Sequence, residues 1–323
     1  MLGAKVVGIG LKPEKGSIIF SSLGLNRRIR QYFIDIKQFK KINDVIKKEK
    51  PDIIFHLAAQ SIVSFSQKNP LETFGTNVLG SVNVLESFRC NKIPNLVYIT
   101  SDKCYLNLNK KGSYKETDIL GGLDNYSSSK ASAELAFFSY SNSYFKKNYL
   151  SLVSARAGNV IGGGDFKTDR IVPDIIKSLK KRKRIVLRNP MSTRPWQHVL
   201  EPLSGYLTLG HKLLNKELKS NVLPSWNFGP HKKNCKKVNF ITQLFINEWN
   251  DKKVKIIHNQ KKQFHESKLL SLNIQKAKKE LKWEPRLTLD DTIEFTVDWY
   301  KNYFSGNNIE NISNYQIDNY LSK

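Results

Sequence analysis

The feature that most restricts this chain is an alternation. Short apolar runs of strand length are followed, again and again, by segments whose apolar residues recur every three or four positions. Gln31–Asp35 reads as a short strand, and Gln38–Lys48 as a helix with Phe39, Ile42, Val45 and Ile46 on one face. Pro51–Ala59 is a continuous apolar run of the kind expected for a strand buried on both faces. Leu71–Cys90 follows as a long helix, with Phe74, Val78, Val82, Leu85 and Phe88 at helical spacing. Asn95–Ser101, Ser127–Tyr144 and Tyr149–Ala155 continue the series as strand, helix and strand. Such alternation leads to an α/β fold, a doubly wound parallel sheet with helices on both faces.

Ahead of this series stands MLGAKVVGIG, with glycines at positions 3, 8 and 10. A phosphate-cradling loop leaves a buried strand, turns on its glycines and opens a helix whose N–H groups receive the anion. Here Lys5–Gly10 is itself the strand, and Leu11–Gly16 is punctuated by Pro13 and Gly16 and starts no apolar-periodic helix. The glycines lie inside and after a strand. Either the chain binds no nucleotide, or a first strand and its loop are missing from it.

Beyond Gly158 the rhythm changes. Gly162–Asp165, Arg188–Pro190 and Asn227–Pro230 mark loops between shorter elements, and the last helices are expected over Ile274–Leu281 and Leu289–Phe304. The division expected is a sheet domain over 1–157, a smaller lobe with interleaved elements over 158–304, and a loosely held polar tail over 305–323. In open α/β sheets ligands sit at the carboxyl ends of the strands, so chemistry is to be sought there.

Composition narrows the partners. Lys and Arg number 53 against 28 Asp and Glu, a net charge of +25, which raises nucleic acid as a partner. The basic residues are nevertheless spread along the chain, and the one dense run, Lys177–Arg184, ends an amphipathic helix beginning near Pro173. A solvated helix face is the preferred reading, and no nucleic-acid partner is expected. No apolar run approaches bilayer length, so no membrane partner is expected either. The opening residues do not read as a secretory leader. Cys90, Cys104 and Cys235 are too far apart for a C-x-x-C site, and their odd number argues against a disulfide framework, which fits a reducing cytoplasm. The six histidines show no metal-binding spacing, so metal catalysis is not expected.

Two segments carry chemistry. The strand Asn95–Thr100 delivers Ser101, Asp102, Lys103, Cys104 and Tyr105 at its carboxyl end. Downstream, Tyr126 and Lys130 stand four apart on a helix and therefore share a face, where the phenol and the ammonium can converge on one ligand. A neighbouring ammonium stabilises the phenolate that general-base work requires. Taken alone, Asp102–Lys103 could be a surface ion pair and Lys130 a solvated helix residue.

The segments TSDKCY, GGLDNYSSSKASAEL, RAGNVIGGGD, DRIVPDI, RNPMSTRPWQHVLEPLSGYL and WNFGP occur in this order over nearly the whole chain. On these the sequence resembles the extended short-chain dehydrogenase/reductase family, and within it the CDP-glucose 4,6-dehydratases. The resemblance implies a Rossmann-type sheet whose first strand and Gly-rich loop, about 25 residues, precede what is present here. On that alignment, the chain as given is expected to hold NAD weakly and to turn over poorly.

The resemblance also implies NAD as a resident cofactor, reduced and reoxidised within each turnover. Tyr126 would take the proton of the sugar 4-hydroxyl, helped by Lys130 and by a hydrogen bond from Ser101. Lys103 would take the C5 proton, and Asp102 would protonate the departing 6-hydroxyl. A lysine acts as a base only when neutral, a form that nearby positive charge favours. Asp35 would contact the adenine, although alone it reads equally as a turn cap. Ile36, Leu57, Ala58, Ala59, Thr76, Tyr126 and Lys130 complete the cofactor set, the small alanines after His56 allowing close approach to the backbone. Asn77 reads better as a buried amide tying helix to strand. Asn159, Arg170, Arg194 and His198 are the candidates for the diphosphate and base of a nucleotide sugar, since arginines fork onto phosphates; each could instead be structural. A homodimer is expected from the family.

Other functions remain on the table. A UDP- or dTDP-sugar 4,6-dehydratase shares the chemistry, whereas an epimerase would not need the acid and base of Asp102–Lys103. A non-catalytic remnant is the reading from a different class.

Overall fold

The expected alternation forms parallel pairings. In the computed structural model, which describes residues 3–13, 18–108, 112–145, 148–219, 223–251, 253–258 and 270–323, strand β1 (Val7–Gly10) pairs in parallel with β2 (Arg30–Phe33). A separate four-stranded sheet contains β3 (Ile54–His56), β4 (Leu96–Ile99), β5 (Leu152–Ala157) and β6 (Ser225–Phe228) in the order β6-β5-β4-β3. Its register aligns Ile54 with Leu96 and Leu96 with Leu152, all in parallel. Gly8 and Gly10 lie within β1, as the sequence suggests; residues 14–17 of the stretch that follows are outside the described residues.

Helix α1 (Phe39–Glu49) buries Ile42, Val45 and Ile46. The helical run over Leu71–Cys90 divides into Pro70–Phe74, a π-helical turn Gly75–Gly80, and α2 (Ser81–Cys90). Helix α3 (Asn125–Tyr144) is capped by the Asp124 carboxylate, which accepts from the Ser127 amide at 3.0 Å. Gly122 makes this start possible: a Cβ there would stand 2.2 Å from the Ser128 backbone nitrogen, too close for any side chain. Between sheet and helices, Leu85, Phe88, Leu96, Phe137 and Leu152 are almost wholly buried, each such side chain contributing about 1.5–3 kcal/mol by its removal from water.

Two expectations need correction. The run Pro51–Ala59 is not a strand buried on both faces, because β3 covers only Ile54–His56 and ends the four-stranded order, leaving Ile54 and Phe55 half-buried and Leu57 exposed. Residues 305–323 are not a loose tail. Ile309–Ser322 is a helix that buries Ile309, Gln316 and Tyr320, and the Tyr320 hydroxyl donates to buried Glu201 at 2.9 Å.

The chain divides into two compact units. The first comprises residues 1–106, 119–156 and 206–226, and the second 107–118, 157–205 and 227–323, so the units interleave more than a boundary near 157 suggests. In the second, helix α4 (Ile171–Lys180) carries the start of the basic run in its last turn, and residues 180–184 are exposed, as expected of a solvated face. Gly163 in the same unit lies against the Trp299 ring, where a Cβ would stand 2.0 Å from it.

Candidate functional site

Strand β4 is buried along its first three residues, and its carboxyl end brings Thr100 and Ser101 to the edge of the core. Ser101 is extended and caps a single 3-10 turn, Asp102–Cys104, by accepting from the Lys103 amide at 3.3 Å. Its hydroxyl donates to the Asp102 carboxylate at 3.0 Å. Asp102 is 2% exposed, so the Asp102–Lys103 pair is no surface ion pair; Lys103 itself is half-buried.

Helix α3 packs on this turn and carries Tyr126 and Lys130, both buried. The solvated-lysine reading is thereby excluded. Burial pulls the Lys130 ammonium down to about 8, partly offset by the Cys104 sulfur and the Glu134 carboxylate. His56, at the end of β3, shares its Nε2 with the Ser81 hydroxyl at 2.9 Å and is pushed down to about 3 by burial and by Lys130. Tyr206, unmarked in the sequence, is buried, and its phenol is pushed up by that burial and by the Asp102 charge. The five candidate catalytic residues thus belong to one unit, on two elements that pack together.

The loop after β3 is tied to α3 through a buried amide. Asn77, in the π-helical turn, accepts from the Gln60 amide at 2.8 Å and donates to the Gln60 carbonyl and the Ser129 hydroxyl, each at 2.9 Å. Ser129 in turn donates to the Tyr126 carbonyl at 2.7 Å. This is the tying role expected of Asn77. A π turn spreads the helix by one residue and recurs at functional sites.

Among the candidate cofactor residues, Asp35 follows β2 and accepts from the Lys37 amide at 2.9 Å, the geometry of a turn cap, while its other oxygen lies 3.4 Å from Lys37 Nζ. Ile36 is committed to packing: it is 7% exposed, and Gly80 is small enough to let it approach the π-helical turn. Leu57 is exposed and Ala58 and Ala59 are half-buried after β3, a low-relief edge at the end of the strand. Thr76 donates to Glu72 at 3.2 Å. A carboxylate beyond β2, small residues beyond β3 and a buried Tyr–Lys pair are the groups that could hold the adenine and nicotinamide ends of a dinucleotide. No cluster of three or more metal-ligating side chains occurs among the described residues.

The four candidates for the nucleotide sugar all lie in the second unit. The Asn159 carbonyl accepts from the Gln197 amide at 3.1 Å. Arg170 pairs with Asp165 at 2.9 Å. Arg194 is 3% exposed and donates to the Thr193 carbonyl at 3.0 Å. His198 is 2% exposed, accepts from the Leu200 amide at Nδ1 and is pulled down to about 4 by burial, so its ring is neutral at physiological pH.

Sequence reasoning passed over the buried neighbours Thr100, Glu134 and Arg156. One signal was available: an arginine inside the otherwise small and apolar run Leu152–Ala157, every residue of which is buried.

Comparison with known proteins adds three findings. The family model described as GDP-mannose 4,6 dehydratase matches residues 21–296. The CDP-glucose 4,6-dehydratase of Salmonella typhimurium is 39% identical over 99% of this chain and 90% of that protein. Two solved structures share the fold. A dTDP-glucose 4,6-dehydratase double mutant from Streptomyces venezuelae with NAD bound has a TM-score of 0.78 at 19% identity, covering 95% of this chain and 90% of that one. The UDP-glucuronic acid 4-epimerase of Bacillus cereus in complex with NAD also has a TM-score of 0.78, at 21% identity, covering 92% and 91%. The fold alone therefore does not separate dehydration from epimerisation; the parallel sheet and Rossmann-type architecture are what these two structures share with the chain.

Proposed function

The chain belongs to the GDP-mannose 4,6-dehydratase family, and from that premise we propose that it converts CDP-glucose to CDP-4-keto-6-deoxyglucose with NAD as resident cofactor. The observation that carries the reaction class is the packing of α3, which buries Tyr126 and Lys130, onto the turn Asp102–Cys104 that Ser101 caps. The choice of CDP-glucose rests on the 39% identity to the Salmonella typhimurium enzyme over almost the whole chain.

NAD, when bound, supplies the hydride acceptor at sugar C4 and the hydride donor at C6. Tyr126 removes the proton of the 4-hydroxyl, and Ser101 holds that oxygen by a hydrogen bond. Lys130, buried one helical turn beyond Tyr126 on the same helix, stabilises the phenolate by its charge. The 4-ketone acidifies C5–H, whose proton goes to Lys103 while Asp102 gives a proton to the 6-hydroxyl, which leaves as water. Asp35, Ile36, Leu57, Ala58, Ala59 and Thr76 are assigned to the cofactor. Asn159, Arg170, Arg194 and His198 are assigned to the diphosphate and base, and a homodimer in the cytoplasm is the expected form.

The test is turnover of CDP-, UDP- and dTDP-glucose by the purified chain with added NAD, the product identified by NMR. A preference for CDP-glucose of at least about tenfold in kcat/KM supports the reading. Equal turnover of the three sugars refutes the nucleotide assignment, and a 4-epimer as product refutes dehydration.

A further inference from the structure

One buried ion pair belongs to no step of that reaction. Glu134 and Arg156 are fully buried, with Nη2 and Oε2 2.8 Å apart. A buried pair of this kind recovers little net stability after desolvation, so its hydrogen bonds are the place to look for its use. The Thr100 hydroxyl donates to Glu134 Oε1, and Thr100 immediately precedes Ser101. Arg156 Nη1 donates to the Tyr105 hydroxyl at 2.9 Å, and its guanidinium lies 5.0 Å from the centre of the Tyr105 ring. Tyr105 immediately follows the Asp102–Cys104 turn. The segment 101–104 is therefore fastened at both ends to one ion pair. Glu134 stands one helical turn beyond Lys130 and two beyond Tyr126 on α3.

We propose that Glu134 and Arg156 form a positioning pair that holds Ser101, Asp102 and Lys103 in register with Tyr126 and Lys130. The proposal rests on the reaction assigned above. A planar guanidinium with a carboxylate specifies one orientation of strand, turn and helix at once, whereas apolar side chains of the same volume would fill the space without selecting it. Another hydroxyl on the pair provides an internal control. Ser154 Oγ, within β5, bonds Glu134 Oε2 at 3.1 Å and Ser225 Oγ at 2.8 Å, and neither bond involves the segment 101–104.

Replacing Glu134 or Arg156 would strand a buried charge, so the test removes single hydroxyls. Thr100→Val and Tyr105→Phe each remove one side-chain tie between the segment and the pair, leaving its backbone bonds at Thr100 and Cys104 in place, and Ser154→Ala removes a bond to the same carboxylate elsewhere. Two readouts are taken on the full chain: kcat and KM for CDP-glucose with NAD, and amide hydrogen exchange at Lys103 and Cys104, whose N–H groups bond to Ser101. The expected result for Thr100→Val and Tyr105→Phe is a kcat lower by at least about tenfold with KM little changed. Exchange at both amides should be faster by a similar factor, with Ser154→Ala close to wild type in both readouts. Unchanged exchange in Thr100→Val and Tyr105→Phe overturns the proposal, and so does an equal effect of Ser154→Ala, which would mark the pair as merely structural. A wild-type chain inert toward every nucleotide sugar refutes the reaction but not the pair, which the exchange measurement still decides.

Discussion

Lys130 should weaken the fold it serves. Its ammonium is buried, and its ionisation is drawn from the ordinary 10.5 to about 8, chiefly by loss of hydration. At about 1.36 kcal/mol per unit, this shift is a penalty of about 3 kcal/mol, on the native state at neutral pH. The sign follows from proton counting. Below about pH 8 both states carry the proton and the penalty is complete; between there and 10.5 the native state has released the proton and the unfolded state has not, so stability rises with pH. Lys130→Met keeps the aliphatic volume and removes the charge. Urea denaturation at 25 °C should therefore find the variant more stable than wild type by about 3 kcal/mol at pH 7 and by only about 1 kcal/mol at pH 9.5. The same variant should lose turnover, since activity at such sites is bought with stability. A variant less stable than wild type at pH 7, or an advantage that does not shrink by pH 9.5, would show that Lys130 is adequately solvated or paired in the native state and that the argument from burial is wrong.

Three further outcomes are expected. Tyr126→Phe should lower turnover by on the order of 10²–10⁴-fold while leaving CDP-glucose binding intact by calorimetry, because only the proton transfer is lost; wild-type turnover would remove the phenol from the mechanism. Asp102→Asn and Lys103→Ala should stall after the first oxidation, so that enzyme-bound NADH accumulates as near-ultraviolet absorbance; release of 4-keto-6-deoxy product at the wild-type rate by either variant would refute the roles given to them. His56, held neutral down to about pH 3 by burial and Lys130, costs the fold nothing above 6.5 and progressively more as pH falls from there toward 3, because only the unfolded state takes up the proton. At pH 5 this cost is about 2 kcal/mol, and His56→Gln should remove it from the pH dependence of urea denaturation; an acid limb as steep as that of wild type would contradict it.

The elements that periodicity made legible are those in which one face meets the core. Helix α1, with Ile42, Val45 and Ile46 inward, and Leu289–Phe304 lie within a residue of where the apolar spacing puts them. The Tyr126–Lys130 face was legible for the same reason, since four residues on a helix return to one side whatever lies opposite. What escaped depends on what lies opposite. The run Pro51–Ala59 is apolar enough for a central strand, yet β3 ends its sheet, and no property of the nine residues themselves encodes the place of a strand in the order. The C-terminal helix has buried Ile309, Gln316 and Tyr320 at spacings of seven and four, a helical stripe hidden among Asn and Ser because its anchor is the distant Glu201. Arg156 is the instructive case. An arginine in a buried strand costs several kcal/mol unless a carboxylate meets it, so its presence in Leu152–Ala157 demands a partner, and Glu134 is an acidic residue on the inward face of the helix that precedes the strand. A charge in an apolar run thus carries structural information that periodicity discards. Followed through its hydrogen bonds, it leads from the core of the sheet to both ends of the segment Ser101–Cys104.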